Sequence, residues 1–384
     1  MRGLSHGEFE LPAPVAKTAS GRPAPSCSAP DSVAAPGASP VAREPLGFEP
    51  PLVAIAGPTA CGKSDLALYL AERLNGEIIN YDSVQVYRGM DIGSGKVSRA
   101  ERQRAPHHLL DVLDPDQIAT AGYFRRLALH ALADLRERGR LPILVGGTGL
   151  YLRALLDGLF DGPTRSADLR ARLRRIESRY GGAALHRVLR RLDQNTAARI
   201  HPNDTQKVIR AVEICLLAGE PASALYARRR ERLRGFKVVK AGLNPPRAEL
   251  CQRIDRRVDL MFAAGLLDET RALVARREEL LRKPSGPLLA LGYRQACAVL
   301  RGELDIAGAI RATQAATRQY AKRQMTWFRR ESDVTWFEGF GDDPEVQLRI
   351  YSWLAPVLAP NCSAISLNHT HPRGKGLIHE HSGK

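Results

Sequence analysis

Eight residues constrain this chain more than any others: Gly57-Pro58-Thr59-Ala60-Cys61-Gly62-Lys63-Ser64 fits the pattern G-x-x-x-x-G-K-[ST]. They follow a short apolar run at 52–56 that reads as a buried strand. They open a segment at 64–74 in which Leu66, Leu70 and Leu74 recur at helical spacing. A strand, a glycine-rich turn and a helix in that order make a cradle for phosphate. The glycines let backbone N–H groups converge, the helix N-terminus adds positive potential, and Lys63 reaches the phosphate oxygens. The Ser64 hydroxyl is placed to ligate Mg2+. Cys61 lies inside this nest beside Lys63, surroundings that favour thiolate and a reactive cysteine. The alternative is a sulfur that only fills the space of a Ser or Ala.

Further short apolar runs at 77–80 and 141–145 alternate with a helical pattern at 121–138, and a polar, glycine-rich stretch occupies 88–96. Such alternation predicts an α/β fold, a P-loop NTPase-like parallel sheet flanked by helices on both faces. From Pro163 the pattern is helical only, with Leu169, Leu173, Ile176 and Tyr180 stepping by three and four. A strand-like run at 237–243 returns to the sheet, so the helical block reads as an insertion. Long helices are expected at 247–277 and 305–329. The expected division is a Pro/Ala-rich disordered extension at 1–50 and a core at 51–160. The insertion then covers 161–235, the rest of the core 236–345, and a disordered tail 355–384.

Charge separates these parts. The chain carries 57 Lys+Arg against 41 Asp+Glu, a net +16. Residues 163–240 alone hold 19 Lys+Arg and 7 Asp+Glu, so most of the excess sits on the helical block. A concentration of that kind predicts a polyanionic partner, nucleic acid first. The extension, with nine prolines and nine alanines in 50 residues, has too little aliphatic bulk to offset chain entropy. Six cysteines without a CxxC pair fit a reducing compartment. No apolar run approaches the roughly 20 residues that span a bilayer, and the N-terminus lacks an apolar signal core. A cytoplasmic protein without membrane contact is expected. The four tail histidines, His369, His371, His379 and His381, have no partner cysteine or acidic cluster and read as part of a disordered end.

A P-loop ATPase or kinase commonly carries a second strand ending in Asp. Here the strand at 141–145 runs instead into Gly146-Gly147-Thr148-Gly149, and the acid follows the strand at 77–80, at Asp82. Strand C-termini of an open parallel sheet line one crevice, so Asp82 and Thr148 should both face Lys63. A carboxylate and a hydroxyl facing a phosphate nest form a catalytic constellation, although each could instead serve only a turn or cap. On the helix at 305–329, Arg311, Arg318 and Lys322 share a face. Arg318 and Lys322 are expected to close over a diphosphate or an RNA backbone; a solvated cationic stripe is the alternative.

At this point the motifs resemble those of the tRNA dimethylallyltransferases over about residues 50–340. The resemblance rests on GPTACGKS, DSVQVYRGMDIGSGK, APHHLLDVLDP, LVGGTGLYLRALLDGL, RIHPNDTQKVIRAVEI, LGYRQ and TRQYAKRQMTWFRR, in that order. It implies transfer of a dimethylallyl group from dimethylallyl diphosphate to N6 of the adenosine immediately 3′ of the anticodon. The P-loop would hold the donor's diphosphate with Mg2+ bridging, through Thr59, Gly62, Lys63 and Ser64. Asp82 matches the family's general base, and Thr148 a residue that contacts the target adenine. Contacts to the tRNA anticodon stem-loop would fall on Asp82, Ser83, Val84 and Gln85, on Arg170, and on Gln206, Lys207, Val208, Ile209 and Arg210. A last group would be Leu289, Ala290, Leu291, Gly292, Tyr293 and Arg294. The enzyme is expected to act as a monomer. Three departures from the family pattern stand out: Cys61, where a Ser or Ala is more usual, Tyr81, placed to narrow the donor channel, and Gly95, in place of the more usual alanine. A nucleotide or small-molecule kinase is the rival reading, and a non-catalytic RNA-binding protein a third. The kinase reading explains the P-loop but not the basic insertion, the Gly-Gly-Thr strand end or the missing second-strand acid, and a comparison of RNA affinity with prenyl transfer separates the third.

Overall fold

In the computed structural model, residues 49–228, 230–275, 281–282 and 286–358 are described. The expectations for an extension at 1–50 and for the histidine-bearing tail fall almost wholly outside them. The central strand β1 (Pro51–Ala56) is buried along its whole length, because helices cover both faces of the sheet. Its side chains alternate: Val53 and Ile55 enter one apolar cluster, Leu52 and Ala54 the other. The first cluster is closed by Leu66 and Leu70 of α1 (Lys63–Arg73). The second is closed by Phe124, Ala128, Leu132 and Leu135 of α3 (Ala121–Glu137).

The remaining strands are β2 (Gly76–Asn80), β3 (His107–His108), β4 (Leu141–Val145), β5 (Lys237–Asn244) and β6 (Val334–Glu338). All pair in parallel, in the order β3-β2-β4-β1-β5-β6. This is the expected doubly covered α/β sheet. Register aligns Ile55 of β1 and Asn80 of β2 with Val145 of β4, so the ends of these three strands are level. Short helix α2 (Arg99–Arg104) precedes β3, and α4 (Gly149–Leu156) follows β4.

The described chain divides into two compact units, 159–231 on the one hand and 49–158 with 232–358 on the other. The smaller holds only helices: α5 (Ala167–Tyr180), α6 (Gly182–Leu192), α7 (Gln194–Arg199), α8 (Thr205–Ala218) and α9 (Ala222–Ala227). Leu173, Leu185, Leu189, Val208, Ile209 and Val212 form its core. Ser166, Asp193 and Asp204 cap α5, α7 and α8 through their side chains.

Two expectations need correction. The helix placed at 247–277 is broken into α10 (Arg247–Ala263) and α11 (Leu266–Val274). Gly265 between them adopts φ 100°, a left-handed conformation that ends one helix and lets the next begin. Residues 355–358, placed in the tail, belong instead to the last helix, which runs to Leu358. Between these lie a 3-10 turn (Gly286–Leu289), α12 (Tyr293–Leu300) and α13 (Ile306–Phe328); the last helix, Pro344–Leu358, is α14. No described helix is long and apolar enough to cross a membrane.

Candidate active site

The P-loop leaves β1 and turns into α1 at Gly62, whose φ of 81° is left-handed. A Cβ there would lie 2.7 Å from the Asp342 backbone nitrogen, so glycine is required by both conformation and space. The loop is held by one bond of its own and by two from outside. Lys63 Nζ donates to the Pro58 carbonyl (2.6 Å), and Gly341 N donates to the Cys61 carbonyl (2.8 Å). Thr59 N donates to Gln324 Oε1 (2.8 Å), and Gln324 Nε2 in turn donates to the Gly147 carbonyl (2.9 Å). Buried Gln324 on α13 therefore joins the P-loop to the Gly-Gly-Thr turn after β4. Burial pushes the Lys63 ammonium below the usual lysine value, with Cys61 and Asp82 favouring its charge.

Cys61 is not a reactive thiol. Its side chain is fully buried in the first apolar cluster, and burial pushes the thiol up despite the Lys63 charge. Tyr81 does not narrow any channel either. Its ring lies wholly in the second cluster, against Gly146, and its hydroxyl donates to the Ile55 carbonyl (2.6 Å).

Two cavities meet at Asp82. A polar one of about 230 Å³ is lined by the P-loop from Thr59 to Ser64 and by Asn80, Gln85, Gly147 and Arg257. A larger one of about 580 Å³ is lined by Ser83, Val84, Leu289, Ala290, Leu291, Arg294, Met261 and Arg323. Thr59, Ala60, Asp82, Ser94, Arg257 and Tyr320 line both. One oxygen of Asp82, Oδ1, accepts from Val84 N (2.8 Å), which fixes the carboxylate in a turn. The two cavities thus share a carboxylate that borders a phosphate nest on one side and an apolar-walled space on the other.

Thr148 does not line either cavity. Its Oγ1 accepts from Ser83 N (3.1 Å) and donates to Ser83 Oγ (3.2 Å), so it ties the β4 turn to the Asp82-Ser83 segment. Arg318 and Lys322 also lie away from the P-loop cavity. They line a separate groove of about 950 Å³ with Pro58, Arg247 and Cys251, and Arg318 pairs with Asp255. The guanidinium beside the nest belongs to Arg257, on α10. Burial works against its charge, whereas Asp82 and Asp65 favour it.

Among residues matched to tRNA contacts, Tyr293 is fully buried, and its hydroxyl donates to Glu269 Oε1 (2.6 Å). Gly292 is buried at the start of α12, with its N–H donated to Gln295 Oε1 (3.0 Å). Val208 and Ile209 lie in the core of the helical unit, so their side chains hold that unit together and do not face a ligand. Arg170 and Arg210 both bind Glu213, whose side chain is wholly buried. Burial raises that carboxyl, but the two arginines and Ser166 N outweigh it and hold it below the ordinary range. Gln206 and Lys207 are exposed on α8.

Sequence reasoning missed Arg257, Arg323, Tyr320 and Gln324. The last three lie inside the motif TRQYAKRQMTWFRR, whose Arg318 and Lys322 drew the expectation. A different face was available: Thr313, Ala316, Thr317, Tyr320 and Gln324 recur by three and four, and they mark the side of α13 that meets the cleft. Arg257 offered no such signal among the many arginines of its helix.

The comparisons with known proteins agree with this architecture. The family model described as IPP transferase matches residues 85–331. A tRNA dimethylallyltransferase from Solibacter usitatus is 53% identical over 297 residues, covering 77% of this chain and 95% of the relative. The one from Koribacter versatilis is 52% identical over 298 residues, covering 78% and 96%. Among solved structures, a tRNA isopentenylpyrophosphate transferase from Bacillus halodurans is 40% identical with a TM-score of 0.59, over 81% of this chain and 97% of the other. A eukaryotic dimethylallyltransferase acting on tRNA reaches a TM-score of 0.65 at 28% identity, over 82% and 78%. On these matches, the chain belongs to the IPP transferase family.

Proposed function

We propose that this protein transfers a dimethylallyl group from dimethylallyl diphosphate to N6 of the adenosine immediately 3′ of the anticodon of tRNA. The observation that carries this reading is the position of Asp82 on the boundary between a phosphate nest and a larger cavity. The adenine amino lone pair is delocalised into the ring, so attack needs removal of a proton. Asp82 takes that proton as the new C–N bond forms. The allylic C–O bond breaks, and its electrons leave with diphosphate. Charge developing on the leaving group meets Lys63, the P-loop N–H groups and Arg257, which are already oriented.

Mg2+ belongs to this reading. Ser64 lines the polar cavity together with Asn80 and Asp82, residues that carry hard oxygen donors of the kind that suits the ion. Among the described residues no three His, Cys, Asp or Glu side chains gather as a metal cage. Ser64 and the donor's own phosphate oxygens would hold the ion, which when bound neutralises part of the diphosphate charge.

The adenine must leave the anticodon stack to reach Asp82, and the larger cavity has the apolar wall that a flipped base needs. The excess Lys+Arg of residues 163–240 suits the phosphates of the stem-loop. A monomer acting in the cytoplasm completes the proposal. The test is incubation with dimethylallyl diphosphate, Mg2+ and unmodified tRNA, followed by mass analysis of the nucleosides. A prenylated adenosine is expected; ATP turnover on a nucleoside acceptor without prenyl transfer would favour a kinase instead.

A further inference from the structure

Residues 91–93 form a second backbone nest, and it is already filled. Glu269, in the first turn of α11, accepts from Asp91 N (2.9 Å) and Ile92 N (2.8 Å) through Oε2. Its Oε1 accepts from Gly93 N (3.1 Å) and from the Tyr293 hydroxyl (2.6 Å). Three successive N–H groups turned toward one point make an anion site, and a carboxylate satisfies all of them at once. Gly93 is pressed against Tyr293: a Cβ there would lie 2.6 Å from the phenol ring.

The segment held in this way leads straight into the candidate active site. Ser94 and Gly95 line the polar cavity, and the Gly95 carbonyl accepts from Gln85 Nε2 (3.3 Å) and from the Arg257 guanidinium (3.4 Å). The far end of the segment is pinned separately. The Lys96 side chain, only 1% exposed, bonds to Asp91 (2.6 Å), Asp111 (2.6 Å) and the Tyr87 carbonyl (2.7 Å). Tyr293 stands beside Leu291 and Arg294, which line the larger cavity. One carboxylate therefore ties together the loop that positions Arg257 and the segment that walls the neighbouring space.

We infer that Glu269 is a positioning residue for the donor: by filling the nest of residues 91–93 and holding Tyr293, it fixes the Gly95 carbonyl that orients Arg257 toward the diphosphate cavity. This rests on the proposed prenyl transfer, in which Arg257 meets the leaving group. Glu269 itself touches neither substrate.

Glu269→Gln and Tyr293→Phe test the inference. The amide keeps one acceptor oxygen, so two of the four donors lose their partner and face an NH2 group. Donor KM should rise about tenfold or more, because small displacements of an oriented group are costly, while tRNA KM stays within about twofold. Tyr293→Phe removes one of the four bonds, so its donor KM should rise less, and it should add little in the Glu269→Gln background. A purely structural role would lower the melting temperature and leave donor KM unchanged. Donor KM within about twofold of wild type in folded Glu269→Gln overturns the inference. If that variant does not fold, unchanged donor KM in Tyr293→Phe overturns it equally. Calorimetric titration of inorganic pyrophosphate with Mg2+ reads the P-loop cavity without the reaction. Weaker binding by the variants supports the inference, and equal binding opposes it. Failure of wild type to prenylate tRNA would count against the proposed function instead.

Discussion

Asp82 and Glu77 are both carboxylates of the β2 region, yet their surroundings give them opposite tasks. Asp82 faces two cavities, and Asp82→Ala should lower the rate of prenyl transfer by about 10²–10⁴ with tRNA affinity little changed; single-turnover kinetics and a binding titration check both halves. Glu77 lies buried at the other end of the strand. It accepts from Arg138 and Arg140 and bonds to His108 (2.7 Å), and Arg138 above all holds its carboxyl down at about 2. A carboxyl depressed by folding contributes stability that is fully present above its unfolded value, near 4.5, and is lost as pH falls through about 2. Glu77→Gln should therefore cost about 2–4 kcal/mol at neutral pH and flatten the acid limb of the stability curve across that window. Chemical denaturation at several pH values measures it. Cys61 belongs at this scale too. Its buried sulfur should resist alkylation in the native protein, whereas half-buried Cys251, which lines the groove beside Arg318, should react first among the described cysteines; peptide mapping after brief labelling decides.

Among elements, α13 does more than cover the sheet. Its Gln324 is the only described side chain that bonds both the P-loop, at Thr59 N, and the β4 turn, at the Gly147 carbonyl. A Cβ on Gly147 would collide with the Gln324 amide. Gly147→Ala should displace that amide, free Thr59 N and raise donor KM about tenfold, with a smaller change in tRNA KM. Steady-state kinetics with each substrate varied in turn would show the split. Equal changes in both constants would mean that the turn serves the whole cleft and not the nest.

For the whole molecule, the proposed function predicts that the charge of the helical unit governs how tRNA binding responds to salt. Each neutralised phosphate contributes about −0.7 to −0.9 to the slope of log K against log salt. Lys207 is 70% exposed, so Lys207→Glu should flatten that slope while the protein stays folded. Arg170 is a different case, because its guanidinium neutralises the buried Glu213. Arg170→Glu should place a second carboxylate beside it and lower the stability of the helical unit by about 3 kcal/mol or more. Salt titrations of tRNA binding, with thermal melts of each variant, separate the two effects.

Local sequence determined a good deal of this protein. The buried run of β1, the glycine spacing of the P-loop and the helical pattern after it are interactions among near neighbours. The parallel sheet, the phosphate cradle and the family resemblance are therefore legible in the sequence itself. The acid after β2 and the Gly-Gly-Thr turn could be brought to one crevice by topology alone, since parallel strand ends share an edge. Only the tertiary structure decided which cations face that crevice. Arg257 and Arg318 are similar arginines on neighbouring helices, and the rotation of each helix against its neighbours turns one toward the nest and the other toward Asp255. Tyr293, Val208 and Ile209 look in sequence like members of contact motifs. Their burial depends on partners far along the chain or on the opposite helix, Glu269 for one and the core of the helical unit for the others. Spacing along a chain gives a side chain its face on an element, but what that face meets is set by other elements, tens of residues away in these cases.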